Sequence, residues 1–236
     1  MSVPDRSLLL EEQDPESGGT WTVFGDVALS LLLVMVLFIL AQFLHYDNVV
    51  VLEEIDRRRE EVAVLVREAA EEVLGAEGAG ALEVVNQGFT AQRITFPEPM
   101  LFESCGTVPR LDGQVLIRAV GKAVGDRVGY FEAVQVEGHA DRIPPTGRCQ
   151  ALVQDNWGLS SARATEFLRV LIGPEGFPNA RVASAVGRGD TQPRSAPDAP
   201  RDALEADRRV ELIFTFSEEA ARQDLERSSL PAGADR

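Results

Sequence analysis

Residues 21–46 read WTVFGDVALSLLLVMVLFILAQFLHY, from Trp21 to Tyr46, and between Asp26 and Asp47 there is no Asp, Glu, Lys or Arg. A helix needs about 20 predominantly apolar residues to cross the hydrocarbon core of a bilayer, and this is the one stretch that supplies them. It predicts a single transmembrane helix over 21–46. One acid, Asp26, lies inside it, five residues past Trp21. A carboxylate is costly in hydrocarbon when charged, so an intramembrane acid is a functional candidate by default. A second reading stays open, in which Asp26 faces the interface near the positive end of the helix dipole. Ser30, one turn further along the same face, offers a hydroxyl beside the carboxylate.

Outward from the span, the composition narrows the possibilities. The chain has 236 residues, 23 Lys and Arg against 38 Asp and Glu, and a formal net charge of −15. That acidity excludes an ordinary nucleic-acid binder, which carries a clustered basic surface. Residues 1–20 are acidic and contain Pro4, Pro15, Gly18 and Gly19; they read as a disordered tail, with a short turn at Leu8–Leu10. A cleaved signal peptide has a basic start, a shorter apolar core and a small-residue cleavage site, so the span is read as a retained anchor. Two cysteines, Cys105 and Cys149, fit one disulfide in an oxidising compartment or two unpaired buried thiols.

After the span, Leu52, Ile55, Arg59, Val62, Val66, Ala69 and Val73 recur at spacings of three and four. This predicts a helical, coiled-coil-like segment over 47–80. The seam fits a parallel pair of chains, and it also fits an amphipathic helix packed on its own domain. The glycine-rich run Gly75 to Gly80 ends it. From Ala81 the pattern becomes an alternation of strands and helices. Strand is expected at Ile94–Phe96 and Leu101–Phe102, interrupted by Pro97 and Pro99. A helix follows over 111–124, a strand over 130–138, and a helix over 159–172 capped by Ser160. Two further strands cover 181–186 and 209–216. The order βαβαββ predicts an α+β domain over 81–217 with its helices on one sheet face. Residues 218–236 read as a frayed helix and a tail.

Four separated motifs in this domain resemble the OmpA-like peptidoglycan-binding family. Val136-Glu137-Gly138-His139-Ala140-Asp141 is similar to V-x-G-H-T-D, with Ala140 in place of threonine. Asn156 to Ala164 is similar to N-x-x-L-S-x-x-R-A. Gly187-Arg188-Gly189-Asp190 with Pro193 is similar to G-x-G-x-x-x-P, and Asp207-Arg208-Arg209-Val210-Glu211 to N-R-R-V-E, with Asp207 in place of asparagine. The resemblance implies that Asp141 takes the ammonium of diaminopimelate in a peptidoglycan stem and that Arg163 takes its carboxylate. Asn156 adds amide hydrogen bonds. A guanidinium suits a carboxylate because it grips both oxygens at once. The bland alternative is that Asp141 and Arg163 form a structural ion pair. His139 is read as a packing residue at a strand end. One departure is the long loop from Arg142 to Asp155, which carries Cys149.

A membrane-span aspartate joined to such a domain resembles the MotB-type stator subunits of ion-driven motors, and Trp21 to Ser30 is similar to their ion-carrying segment. The short chain, acidic N-terminal tail and long seam resemble the ZorB stator-like subunits of the Zorya anti-phage defence system. That resemblance implies a ring of a multi-span partner like MotA or ZorA, a homodimer, and a transported ion, H+, carried by Asp26 and Ser30. It places the N-terminus in the cytoplasm and the C-terminal domain in the periplasm, against the Arg57-Arg58-Arg59 cluster, which by the positive-inside rule favours the opposite orientation. No catalytic triad, nucleotide loop or metal-ligand spacing stands out, so no enzyme and no bound cofactor are expected. A flagellar stator subunit and a passive membrane-to-wall tether are the alternatives.

Overall fold

The computed structural model describes residues 17–174 and 176–229. Most of the acidic N-terminal stretch, with the turn expected at Leu8–Leu10, and residues 230–236 lie outside them. The chain divides into two units, at Val49 and Val50. Helical residues run through both as α1 (Ser17–Gly80).

In the first unit, Phe24–Gln42 has a mean hydropathy of 2.6 and none of it is buried. By length and composition this helix can cross a membrane. A helix suits that setting because its backbone hydrogen bonds are satisfied internally. Asp26 and Ser30 are both exposed on it, four residues apart and therefore on one face.

In the second unit the three-four seam is real, and its occupant is the chain itself. Ile55, Val62 and Val66 are wholly buried, with Val51 and Ala70, in the main apolar core. These positions are filled by the chain's own domain and are not offered to a second copy, which corrects the expectation of a pair along this seam. Arg59, which breaks the apolar seam, is buried too; it binds Asp56 at 2.9 Å and the Gly88 carbonyl at 3.1 Å. A left-handed residue, Gly75 at φ 73°, interrupts the helical run before Gly80, a conformation glycine adopts at no steric cost.

The sheet contains β1 (Glu83–Gln87), β2 (Ala91–Pro97), β3 (Phe131–His139), β4 (Ala183–Gly187) and β5 (Arg209–Phe216), in the order β1-β2-β5-β3-β4. Only β3 and β4 run parallel. The hairpin strand β1 adds one strand to the expected order; its polar sequence EVVNQ hides the alternation. Between β2 and β3 lie α2 (Glu98–Leu101) and α3 (Leu111–Gly125), and between β3 and β4 lie α4 (Arg148–Leu152) and α5 (Asn156–Leu171). The strand expected at Leu101–Phe102 is instead the single turn α2 and an isolated bridge from Phe102 to Pro109. Proline at its second position suits a first helical turn, where no N–H is needed.

One sheet face is apolar. Ile94 and Phe96 lie beside Leu212 and Val210, and Val134 and Val136 beside Phe214 and Leu212. All are buried, with Phe167 and Leu171 of α5 and Leu116, Ile117 and Val120 of α3 packed into the same core. Gln92 shares the parity of Ile94 and donates to the Arg59 carbonyl at 3.0 Å, which ties α1 to this face. The last helix, α6 (Glu218–Ser229), is docked: Ala221 is fully buried. Asp224 takes the wholly buried Arg58 at 2.7 Å, and the Arg58 guanidinium sits 4.3 Å from the centre of the Tyr130 ring. Ile55→Val removes one methyl group from the sealed seam and is expected to lower stability by roughly 0.5–1.5 kcal/mol. Denaturation at several protein concentrations checks it: a midpoint independent of concentration marks packing within the chain, and a concentration-dependent one marks pairing.

The opposite face carries charge. Glu137, His139 and Glu211 are buried there, with His139 Nε2 3.6 Å from Glu137 and 3.5 Å from Glu211. Arg209 meets Glu211 at 2.6 Å, Arg93 at 3.0 Å and Arg194 at 3.2 Å, while Arg188 meets Glu137. Four guanidinium groups around two carboxylates leave little attraction for a metal cation, although the three side chains could offer ligand atoms. Burial acts to raise the Glu211 carboxyl; the neighbouring His139 and the hydrogen bond from Arg209 outweigh it and hold the group at about 2, against an ordinary 4.5. A depressed carboxyl contributes stability that is present above its unfolded value and lost as pH falls through its folded one. The melting temperature is therefore expected to drop between about pH 4.5 and pH 2 more steeply in the parent than in Glu211→Gln. Parallel curves for the two would contradict this.

Candidate functional site

A cavity of about 550 Å³ opens where the C-terminal end of β3, the start of α5, α2 and the loop before β5 meet. Its position follows from two close approaches. A Cβ on Gly138 would fall 2.1 Å from the Ser160 carbonyl oxygen, and one on Gly187 2.0 Å from Ser161 Oγ. The absence of both lets the second turn of α5 lie directly on β3 and β4. The helix is capped by Asp155, whose Oδ1 accepts from Gly158 N at 2.7 Å, rather than by Ser160, and so it begins at Asn156. Ser160 instead accepts from Gly189 N at 2.9 Å and donates to the Trp157 carbonyl.

Asp141, Asn156 and Arg163 are brought together at this cavity. Asn156 and Arg163 are about two turns apart on one helix face. The Asn156 amide donates to the Asp141 carbonyl at 2.8 Å. Asp141 itself accepts from Ile143 N at 2.9 Å and from Arg208 Nη1 at 3.0 Å. Arg163 pairs with Glu98, donates to the Gly106 carbonyl at 2.9 Å, and lies 5.1 Å from the Phe102 ring. Arg208 also pairs with Glu98. The charges therefore form a chain, Arg163–Glu98–Arg208–Asp141, rather than one direct pair between Asp141 and Arg163.

The two arginines differ in what they can offer. Arg163 is 2% exposed, and burial holds its guanidinium below the ordinary arginine value despite Glu98. The Arg208 side chain is 32% exposed. Burial acts against its charge too, but the hydrogen bond to Asp141 and the charge of Glu98 outweigh it and raise the group. Arg163 thus sits as the floor of the site, while Arg208 presents positive charge at its surface with the largely buried Asp141 beside it. Arg208 and Glu98 were not singled out from the sequence. Arg208 stands inside the D-R-R-V-E motif, and Glu98 is an acid set within an apolar run, I-T-F-P-E-P-M-L-F.

Cys105 and Cys149 are disulfide-bonded with Cα atoms 5.1 Å apart, and both line the cavity. The bridge ties the inserted loop to the segment after α2. Pro144, Pro145 and Thr146 of that loop also line the cavity, while Arg142 anchors its base on the Ala196 carbonyl at 2.6 Å and Ser195 Oγ at 2.8 Å. The long loop from Arg142 to Asp155 is therefore a wall of the site.

Asp26 and Ser30 belong to the first unit and form no part of this cavity.

The OmpA family model matches residues 116–206, within the second unit. No curated protein matches the chain. Among solved structures, a MotB-like protein from Desulfovibrio vulgaris is similar at 19% identity with a TM-score of 0.58, over 70% of this chain and 99% of that one. The cell wall anchor of the T6SS from Pseudomonas aeruginosa is similar at 25% identity with a TM-score of 0.50, over 63% and 97%. The periplasmic domain of Helicobacter pylori MotB is similar at 20% identity with a TM-score of 0.50, over 66% and 94%. The fold is that of MotB-like periplasmic domains.

Proposed function

We propose that this chain is a wall-anchored, stator-like subunit of an ion-driven motor in the bacterial inner membrane. The observation that carries the wall-binding half is the cavity lined by Asp141 and Arg208 side by side. A diaminopimelate terminus presents an ammonium and a carboxylate on one carbon, and a carboxylate next to a guanidinium is the complement of that zwitterion. The likeness to a cell wall anchor supports the same reading. In it, the second unit is periplasmic and grips the stem peptide of peptidoglycan, and the N-terminus is cytoplasmic.

The motor half rests on Asp26, an acid in a span that is otherwise free of charge from Phe24 to Gln42. A single elementary charge crossing the membrane is worth about 2.3 kcal/mol per 100 mV. Asp26 carries the ion, H+, with Ser30 beside it. Two copies pair through the exposed apolar span within a ring of a multi-span subunit resembling MotA or ZorA, and the motor serves anti-phage defence of the Zorya type. The chain performs no catalysis and holds no cofactor. A passive tether is the second reading, favoured by the anchor likeness alone. Cosedimentation of the detergent-solubilised full chain with purified sacculi tests the wall-binding half. Binding is expected, and free diaminopimelate is expected to compete it away. Binding indifferent to that competitor contradicts the assignment of the site.

A further inference from the structure

We infer that Trp157 is a stacking platform for a sugar ring of the peptidoglycan glycan strand, adjoining the stem-peptide site. This rests on the wall-binding reading and extends it from the peptide to the glycan. Trp157 is 51% exposed on the first turn of α5, although it is the largest side chain in the second unit. Its ring is held from behind. A Cβ built on Gly189 would lie 3.2, 3.3 and 3.5 Å from Cδ2, Cε2 and Cγ of the indole. Near-equal distances to three adjoining ring atoms, both fusion carbons among them, place the ring face-on over the glycine backbone. Gly189 has a φ of 56°, which glycine tolerates, and any side chain there would push the indole away. One face is thus seated on backbone, and the exposed area belongs to the rest of the ring.

The platform is continuous with the cavity on two sides. Asn156, which precedes Trp157, lines the cavity and bonds to Asp141. The Gly189 carbonyl accepts from the N–H of Ala140, another cavity residue, at 2.8 Å. Asp190, which follows Gly189, is exposed. An indole face is electron-rich and packs against the polarised C–H groups along one face of a pyranose. In peptidoglycan the stem peptide hangs from an amino sugar, so a site holding the peptide has that sugar as its covalent neighbour.

Titration of the full chain in detergent with two probes tests the assignment: the disaccharide-tripeptide carrying diaminopimelate, and the same tripeptide without sugar. Trp157→Ala is expected to weaken binding of the disaccharide-tripeptide about tenfold and to leave the free tripeptide unchanged. In a Trp21→Phe background, Trp157 emission is expected to shift with the first probe only, a readout that does not depend on how the alanine variant folds. The platform is overturned if the parent binds both probes equally well, or if Trp157→Ala weakens both alike. If the parent takes up neither probe, the wall-binding reading fails and the platform with it. Tripeptide uptake with no effect of sugar sinks the platform alone.

Discussion

Asp26→Asn is expected to abolish ion-driven activity while leaving membrane insertion and wall binding intact. Asparagine keeps the size and hydrogen-bonding capacity of the side chain but cannot gain and lose a proton. Asp26 lies in the first unit, and the wall-site residues lie in the second. The substitution also removes a group that is costly in hydrocarbon, so insertion has no reason to suffer. Activity, read as ion flux in proteoliposomes with the partner subunit or as protection of cells from phage, is expected to fall to background. An Asn variant with parental activity would leave the tether as the reading of the chain.

The second large effect is at the wall site. The double variant Asp141→Asn, Arg208→Ala is expected to lose at least about a hundredfold in affinity for sacculi. Each change leaves one charge of the ligand desolvated without its partner, and hydrogen bonds to charged groups are worth roughly 1.5–3 kcal/mol each. Arg163→Ala is a poorer test. Arg163 is 2% exposed and holds Glu98 and the Gly106 carbonyl, so its loss leaves a buried carboxylate short of a partner and costs stability first. Thermal melts run beside the binding assay separate the two effects: the double variant, whose partly exposed Arg208 also pairs with Glu98, is expected to melt below the parent, and Arg163→Ala further below it.

How much of this was legible in the sequence depends on how local each signal is. The apolar N-terminal helix, the strand ending at His139 and the helix carrying Arg163 are short-range patterns, and the structure has all three as helix or strand. The α5 boundary moved because Asp155, an acceptor just before the helix, caps it better than Ser160 within it. The seam from Ile55 to Val66 shows the limit of periodicity, which reports that a helix face is covered and not by what. The same spacing serves a second chain or the chain's own sheet. Within the site, Asp141, Asn156 and Arg163 were found through motifs. Glu98 and Arg208 were not paired, because they lie 110 positions apart and only the fold brings a Pro-flanked acid to the start of β5. The role of the loop from Arg142 to Asp155 likewise emerges only when its disulfide closes against Cys105.

The central claim is that the second unit holds the wall by its stem peptides through the Asp141–Arg208 cavity. The most direct measurement compares binding of the full chain to intact sacculi and to sacculi whose stem peptides have been removed by an amidase. The account predicts strong binding to the intact wall and only a small residue on the stripped glycan. Equal binding to both would contradict it.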